Sequence, residues 1–271
     1  MLNLRRPEGA ASTGDQGRKD SIMGIYSNHP AIRVQGEQIL ALTDAVCIED
    51  TFRLYLNDIA LAQIVASPDQ LRELGAGFVL SEGLAQAIDE LRVSDNEVRV
   101  YASTSAKIDY ELRSSGCIGV RGMPRPVPSK LTIEKEDIFL AIGQIESDVW
   151  KKTGGVHCSV LVRDREVVAK SSDIGRHNTL DKVIGHAVLN SIDLAGCIIG
   201  CTGRQPAGMI AKVANAGVPI MVSKAAATDA GILLAERTGV ALVCFARGDR
   251  FTVYSHPERI AGLSVPEQAC R

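Results

Sequence analysis

The stretch GCIIGCTGRQPAGMIAKVANAGVPIMVSKAAATDAGILLAERTGVALVC, residues 196 to 244, decides the fold. Three short apolar runs recur in it: Gly196-Cys-Ile-Ile-Gly200, Val218-Pro-Ile-Met-Val222 and Val240-Ala-Leu-Val-Cys244. They stand about 22 residues apart, a helical pattern fills each gap, and that spacing is βαβαβ, with parallel strands joined by right-handed crossovers. Pro206 opens the first helix, with Met209, Ile210, Val213 and Ala214 as its apolar face and Gly217 as its stop. Thr228 or Asp229 caps the second, and Gly239 ends it. The fold class is α/β, with an antiparallel α+β domain in front.

Open parallel sheets bind ligands beyond the carboxyl ends of their strands. Those ends read Cys201-Thr202-Gly203-Arg204, Ser223-Lys224 and Phe245-Ala246-Arg247-Gly248-Asp249-Arg250. Each brings a cation, and two bring a glycine that lets the backbone approach a bound group. One basic end would be an ordinary solvated loop; three together point to an anion site for the phosphates of a nucleotide-bearing ligand.

Upstream lie Thr153-Gly-Gly-Val-His-Cys158 and Ser172-Asp-Ile-Gly-Arg-His-Asn-Thr-Leu-Asp-Lys182. Asp173 is expected to cap a helix that buries Leu180, Val183, Ile184 and Ala187. His177 and Asp181, at i and i+4, are expected to share a hydrogen bond, with His177 a proton carrier or a donor to a ligand oxygen. A surface His-Asp pair on a capped helix accounts for the same spacing equally well. His157 is open between core hydrogen bonding and site contact, and His186 reads as structural.

Residues 1–28 have the composition of a disordered tail. An N-terminal α+β domain over 29–128 follows. Val46, Ile48, Phe52, Leu54 and Leu56 alternate, and Leu56-Asn57-Asp58-Ile59 is a tight hairpin turn. Ser67 and Pro68 predict the N-cap and first position of a helix with Leu71, Leu74, Phe78 and Val79 on one face, closed by Ser81-Glu82-Gly83. Strands near Glu97–Tyr101 and Lys107–Leu112 lead into the loop Arg113-Ser-Ser-Gly-Cys-Ile-Gly-Val-Arg-Gly122. There Cys117 reads as a presented thiol, since glycines loosen the backbone and Arg113 and Arg121 favour thiolate; a cysteine merely occupying a turn is the plainer alternative. A Pro-rich linker, Met123 to Pro128, precedes a C-terminal α/β domain over 129–271, which opens with a helix from Glu134 to Trp150.

With 271 residues, 45% hydrophobic and 23% charged, the chain has an ordinary globular composition. A net charge of −2 gives no electrostatic case for nucleic acid or an anionic membrane as partner. Seven cysteines, an odd set without framework or zinc spacing, fit a reducing compartment. With neither a secretory leader nor a spanning apolar run in the sequence, the expected location is cytoplasmic. No Walker A motif, no GxGxxG after a strand, no nucleophile elbow and no zinc-deaminase signature is present. Cys197, Cys201 and Cys244 read as core residues, and no metal site is expected.

Taken together, Gly154-Gly-Val-His157, the run Asp173 to Lys182, Ala216-Gly-Val-Pro-Ile220, Arg250 to Arg259 (RFTVYSHPER) and LRELGAGFVLSEG over Leu71 to Gly83 closely resemble the formate dehydrogenase accessory sulfurtransferases (FdhD). The similarity runs from about Ile32 to Ile260. It implies a dimeric cytoplasmic sulfur carrier with a cytidine-deaminase-like C-terminal domain. Such a protein takes persulfide sulfur from a cysteine desulfurase and delivers it to the bis(molybdopterin guanine dinucleotide) molybdenum cofactor, a bound substrate, before that cofactor enters the formate dehydrogenase apoenzyme. Cys117 matches the family's persulfide cysteine, and Phe245 to Arg250 match its cofactor-binding segment. The resemblance leaves the chain departing from the family at three places. Val120 replaces the second loop cysteine, Pro206 and Gly208 replace a serine and a glutamate, and Ser172 replaces an acidic residue. A carrier needs one thiol, so Val120 removes only intramolecular disulfide release. A divergent cofactor-holding chaperone that moves no sulfur is the alternative.

Overall fold

Alternating apolar residues near the N-terminus form a long hairpin, β1 (Tyr26–Gln35) and β2 (Gln38–Cys47), turned at Gly36 with φ 59°. The structure is a computed structural model that describes residues 24–104, 110–112, 118–120 and 124–263. β1 thus begins inside the expected tail, and Cys117, Arg113 and Arg121 lie outside the described residues.

The next hairpin, β3 (Asp50–Leu56) and β4 (Ile59–Ala66), turns where expected. Asn57 and Asp58 both have positive φ, 50° and 63°, the left-handed pair that matches the twist of two tightly joined strands. After α1 (Leu71–Ser81), β5 (Glu90–Ser94) and β6 (Glu97–Tyr101) complete a sheet of order β4-β3-β6-β5. Its inner face, with Leu54, Leu56, Leu91, Val98 and Val100, packs under Phe78 and Val79 of α1. β5, whose five residues are mostly exposed, has no counterpart among the expected strands. β7 (Tyr110–Leu112) and β8 (Ile118–Val120) pair antiparallel.

The helix expected from Ser67 begins instead at Leu71, behind Gln70 with φ 48°. Ser67 is occupied elsewhere: its N–H donates to Asp173 and its carbonyl accepts from Lys182. The single helix expected over 134–150 is two, α2 (Lys135–Gly143) and α3 (Asp148–Thr153). A capping box of Glu134 and Asp137 starts the first, and the buried hydroxyl of Ser147 starts the second by accepting from the Trp150 N–H.

The C-terminal half then follows as β9 (His157–Arg163), β10 (Glu166–Asp173), α4 (Arg176–Leu189), β11 (Cys197–Cys201), α5 (Ala207–Asn215), β12 (Ile220–Ser223), α6 (Asp229–Thr238), β13 (Ala241–Arg247) and β14 (Arg250–Ser255). These strands form one sheet, β10-β9-β11-β12-β13-β14. β11, β12 and β13 are mutually parallel, as the βαβαβ spacing requires, and the flanking strands are antiparallel. Leu180, Ile184, Met209, Ile210, Val213 and Leu234 of α4, α5 and α6 fill one face of the sheet; Ile138 and Ile142 of α2 cover the other.

The two halves meet where α1 crosses α4. A Cβ on Gly77 would stand 1.7 Å from the Asp181 carbonyl oxygen, and one on Gly185 would stand 1.9 Å from that of Glu73. Glycine at both places lets the backbones touch. Two buried lysines border this seam. Lys182 Nζ lies 2.7 Å from Asp173 and 2.8 Å from Asp69, and Lys212 Nζ lies 2.8 Å from both Asp181 and Glu82 and donates to Ser81 at 3.0 Å. A packed helix pair and two ion clusters therefore cross the boundary expected near residue 128.

Candidate functional site

β9 runs antiparallel to β11, so its first residue lies at the edge where β11 ends; Ser159 pairs with Cys201, and His157 pairs with the last residue of β10, Asp173. Six pieces of chain thus converge: the start of β9, the end of β10, the first turn of α4, and the ends of β11, β12 and β13.

Side chains and backbone knit these ends together. Thr202 Oγ1 accepts from the Cys158 N–H at 3.1 Å and stands 3.0 Å from His157 Nδ1. The Gly203 carbonyl accepts from Ser223 Oγ and from Gln205 Nε2, both at 2.7 Å. The Lys224 N–H donates to the Cys201 carbonyl at 3.1 Å, and Arg247 Nε donates to the Lys224 carbonyl at 2.9 Å. Arg176, first residue of α4, lies against Gly203: a Cβ there would be 2.8 Å from the arginine Cβ.

The expected site residues differ in their surroundings. Phe245 to Arg250 is a hairpin, in which β13 continues to Arg247 and only Gly248-Asp249 turns before β14. The register breaks between Cys244 and Arg247, and Phe245 sits in that bulge with φ 53°, its ring 38% exposed. Ala246 is buried, and Ser223 is buried and spent on Gly203. Thr202 is half-buried; Arg204, Arg247, Gly248, Asp249 and Arg250 are exposed. Lys224 is half-buried, with Nζ 3.6 Å from Glu146.

His177 is half-buried in the first turn of α4, but the expected bond to Asp181 is not made. Asp181 faces the seam, where Ser81 Oγ donates to it at 2.6 Å and Lys212 bonds both its oxygens. Burial pushes its carboxyl above the usual range, against the pull of Lys212. Asp173 does not cap α4 either, because Gly175 holds the N-cap position. Arg176 is not among the expected site residues, although an arginine opening a helix just after a strand is itself an anion-site signal.

Burial lowers the His157 pKa, the charges of Arg176 and Arg204 lower it further, and Asp173 opposes them. The site therefore offers a neutral imidazole among guanidinium groups. Burial raises the thiols of Cys197 and Cys201 to about 11 and that of Cys244 to about 12, which leaves them as core residues. Among the described residues, no group of three or more His, Cys, Asp or Glu is placed to hold a metal ion, and no helix is long and apolar enough to cross a membrane. What this rim can do is bind anionic oxygens beside an exposed aromatic ring.

Known proteins resemble this chain over most of its length. The chain is 35% identical over 252 residues to the sulfur carrier protein FdhD of Methanothermobacter thermautotrophicus, covering 88% of this chain and all of that one. It is 30% identical to the sulfur carrier protein FdhD of Bacillus subtilis, covering 83% and 94%. A crystal structure described as a formate dehydrogenase accessory protein from Desulfotalea psychrophila superposes with a TM-score of 0.75 at 25% identity, covering 87% of this chain and 99% of that one. Residues 47–261 match the model of the FdhD/NarQ family, and the chain belongs to that family.

Proposed function

We propose that this chain is a cytoplasmic, homodimeric sulfur carrier serving formate dehydrogenase. It takes sulfur from a cysteine desulfurase onto Cys117 and delivers it to the bis(molybdopterin guanine dinucleotide) molybdenum cofactor, held as substrate at the strand ends. The names of its relatives support the carrier role. The observation that carries the cofactor reading is the gathering of Arg176, Arg204, Lys224 and Arg247 at the ends of three parallel strands and the start of α4. Guanine dinucleotide phosphates fit such a rim, and the Phe245 ring gives a base a surface to lie on. The cytidine-deaminase-like reading of the C-terminal sheet belongs to the same proposal.

In the loading step, the Cys117 thiolate attacks the outer sulfur of the desulfurase persulfide. A new S–S bond forms at Cys117 while the old one breaks, and the desulfurase cysteine leaves as thiolate with no net oxidation. With Val120 where the family has a second cysteine, Cys117 carries the sulfur alone.

Incubation of the chain with a cysteine desulfurase and cysteine, followed by peptide mass spectrometry, tests this. A gain of one sulfur atom on the Cys117 peptide, removed by reductant and absent in Cys117→Ala, is the expected result. No gain, with the desulfurase active on another acceptor, would replace the carrier with a cofactor-holding chaperone. Pro206 and Gly208, which put no acidic or hydroxyl group into the entry of α5, are the residues that favour that second reading.

A further inference from the structure

We infer that Asp173 is a positioning residue of the strand-end site, tying the α1–α4 seam to the turn that carries Arg176. The inference rests on the nucleotide-binding reading above.

Asp173 ends β10 and is fully buried. Its Oδ1 accepts from the Gly175 N–H and from Asn178 Nδ2, both at 2.8 Å. Its Oδ2 accepts from the Ser67 N–H at 3.0 Å and from Lys182 Nζ at 2.7 Å. Two donors thus come from the entry of α4, one from its second turn, and one, the Ser67 N–H, from the segment ahead of α1 across the seam, where Lys182 also meets Asp69. Four donors on a buried carboxylate fix its position in a way a solvated cap does not. A helix-capping role alone would leave the bonds to Ser67 and Lys182 without purpose.

The same bonds aim Arg176. Asn178 Nδ2 also donates to the Val65 carbonyl at 2.9 Å, and it sits so tightly over Gly175 that a Cβ there would be 2.7 Å away. The turn between Asp173 and Asn178 is therefore clamped to the end of β4. Arg176 leaves that turn and lies along Gly203, where an added Cβ would meet its Cβ at 2.8 Å and its Cδ at 2.9 Å. The charged groups acting on His157 are then Arg176, Arg204 and Asp173, with the Thr202 hydroxyl as its hydrogen-bonding neighbour.

The test uses the full chain, GDP as probe and the ring resonances of His157. Asp173→Asn puts an amide NH2 against donors, so the turn shifts while the fold keeps its shape. GDP binding is expected to weaken about tenfold by calorimetry, as on loss of one charge-assisted hydrogen bond. His157 is expected to titrate at lower pH than in the parent, because the carboxylate that raised its pKa is neutral. Asp69→Asn, which removes the other carboxylate of Lys182 without touching the turn, should cost stability and leave GDP affinity within about twofold. Should Asp173→Asn not fold, Asn178→Ala loosens the same turn without stranding a buried charge and must weaken GDP binding in the same way. Parental GDP affinity in both Asp173→Asn and Asn178→Ala overturns the inference. A parent chain that does not bind GDP defeats the nucleotide reading instead, and Asn178→Ala, which keeps the Asp173 charge, then decides: a moved His157 titration reports a displaced Arg176 turn, and an unmoved one overturns the inference.

Discussion

The α1–α4 seam and the strand-end rim use cationic side chains in opposite ways. At the seam, Lys182 and Lys212 are fully buried, and each faces two carboxylates within 2.8 Å. At the rim, Arg204, Arg247 and Arg250 are exposed, and Arg247 is steadied by a neutral backbone carbonyl. A buried charge surrounded by countercharges has its field cancelled and serves as cement. A cation held by a carbonyl keeps its field for an incoming anion. Burial and the identity of the partner separate structure from recognition here.

Lys212→Ala should have the largest effect, because it leaves Asp181 and Glu82 buried together without their cation. A loss of about 3–5 kcal/mol in urea unfolding is expected. Lys212→Met paired with Asp181→Asn should recover part of it, and no recovery would mean that the cluster is not a unit. Gly185→Ala should cost about 1–3 kcal/mol or more, since its methyl group would occupy the space of the Glu73 carbonyl and push the helices apart. Arg247→Ala reverses the pattern. Its unfolding free energy should stay within about 0.5 kcal/mol of the parent, while GDP affinity falls about tenfold. A large stability loss there would erase the distinction between rim and seam.

The sequence made the rim legible and hid the seam, for physical reasons. The parallel strands are continuous apolar runs punctuated by Pro206, Gly217, Thr228 and Gly239, and all four act where the punctuation places them. Their ends, and hence most of the cationic residues, follow from strand direction alone. The seam depends on α1 meeting α4, a contact between segments about a hundred residues apart that no local period encodes. Every residue from Asn178 to Gly185 is buried, because the sheet covers one side of α4 and α1 the other. Asp181 and Lys182 therefore resemble an exposed polar stripe on a helix that has none. The Phe245 hairpin was hidden by its bulge, which hydropathy does not mark.

Phe245→Gly sharpens the contrast at a single residue. A phenylalanine at φ 53° holds a left-handed backbone that costs a side chain about 1–2 kcal/mol, and glycine adopts it freely. The ring is 38% exposed, so part of its burial is lost on removal, and the two changes oppose each other. Net stability should stay close to that of the parent, with GDP affinity reduced by loss of the stacking surface. A strain kept at a ligand rim and released without loss of stability is the mark of a residue retained for binding.

The smallest expected effect is a pH dependence. His157 has a folded pKa below its ordinary value of 6.5, so the unfolded chain takes up its proton first as pH falls. Its contribution to stability is whole above that value and is lost as pH drops from 6.5 to the folded pKa. Thermal melting between pH 7.5 and 5.5 should show a modest fall that His157→Gln flattens. Asp173→Asn should steepen it, because His157 then titrates still lower in the folded chain, and GDP should make it shallower, since bound phosphate offsets the two arginines. If His157→Gln leaves the profile unchanged, the imidazole is not the group the rim holds neutral, and the electrostatic link between seam and site fails at that point.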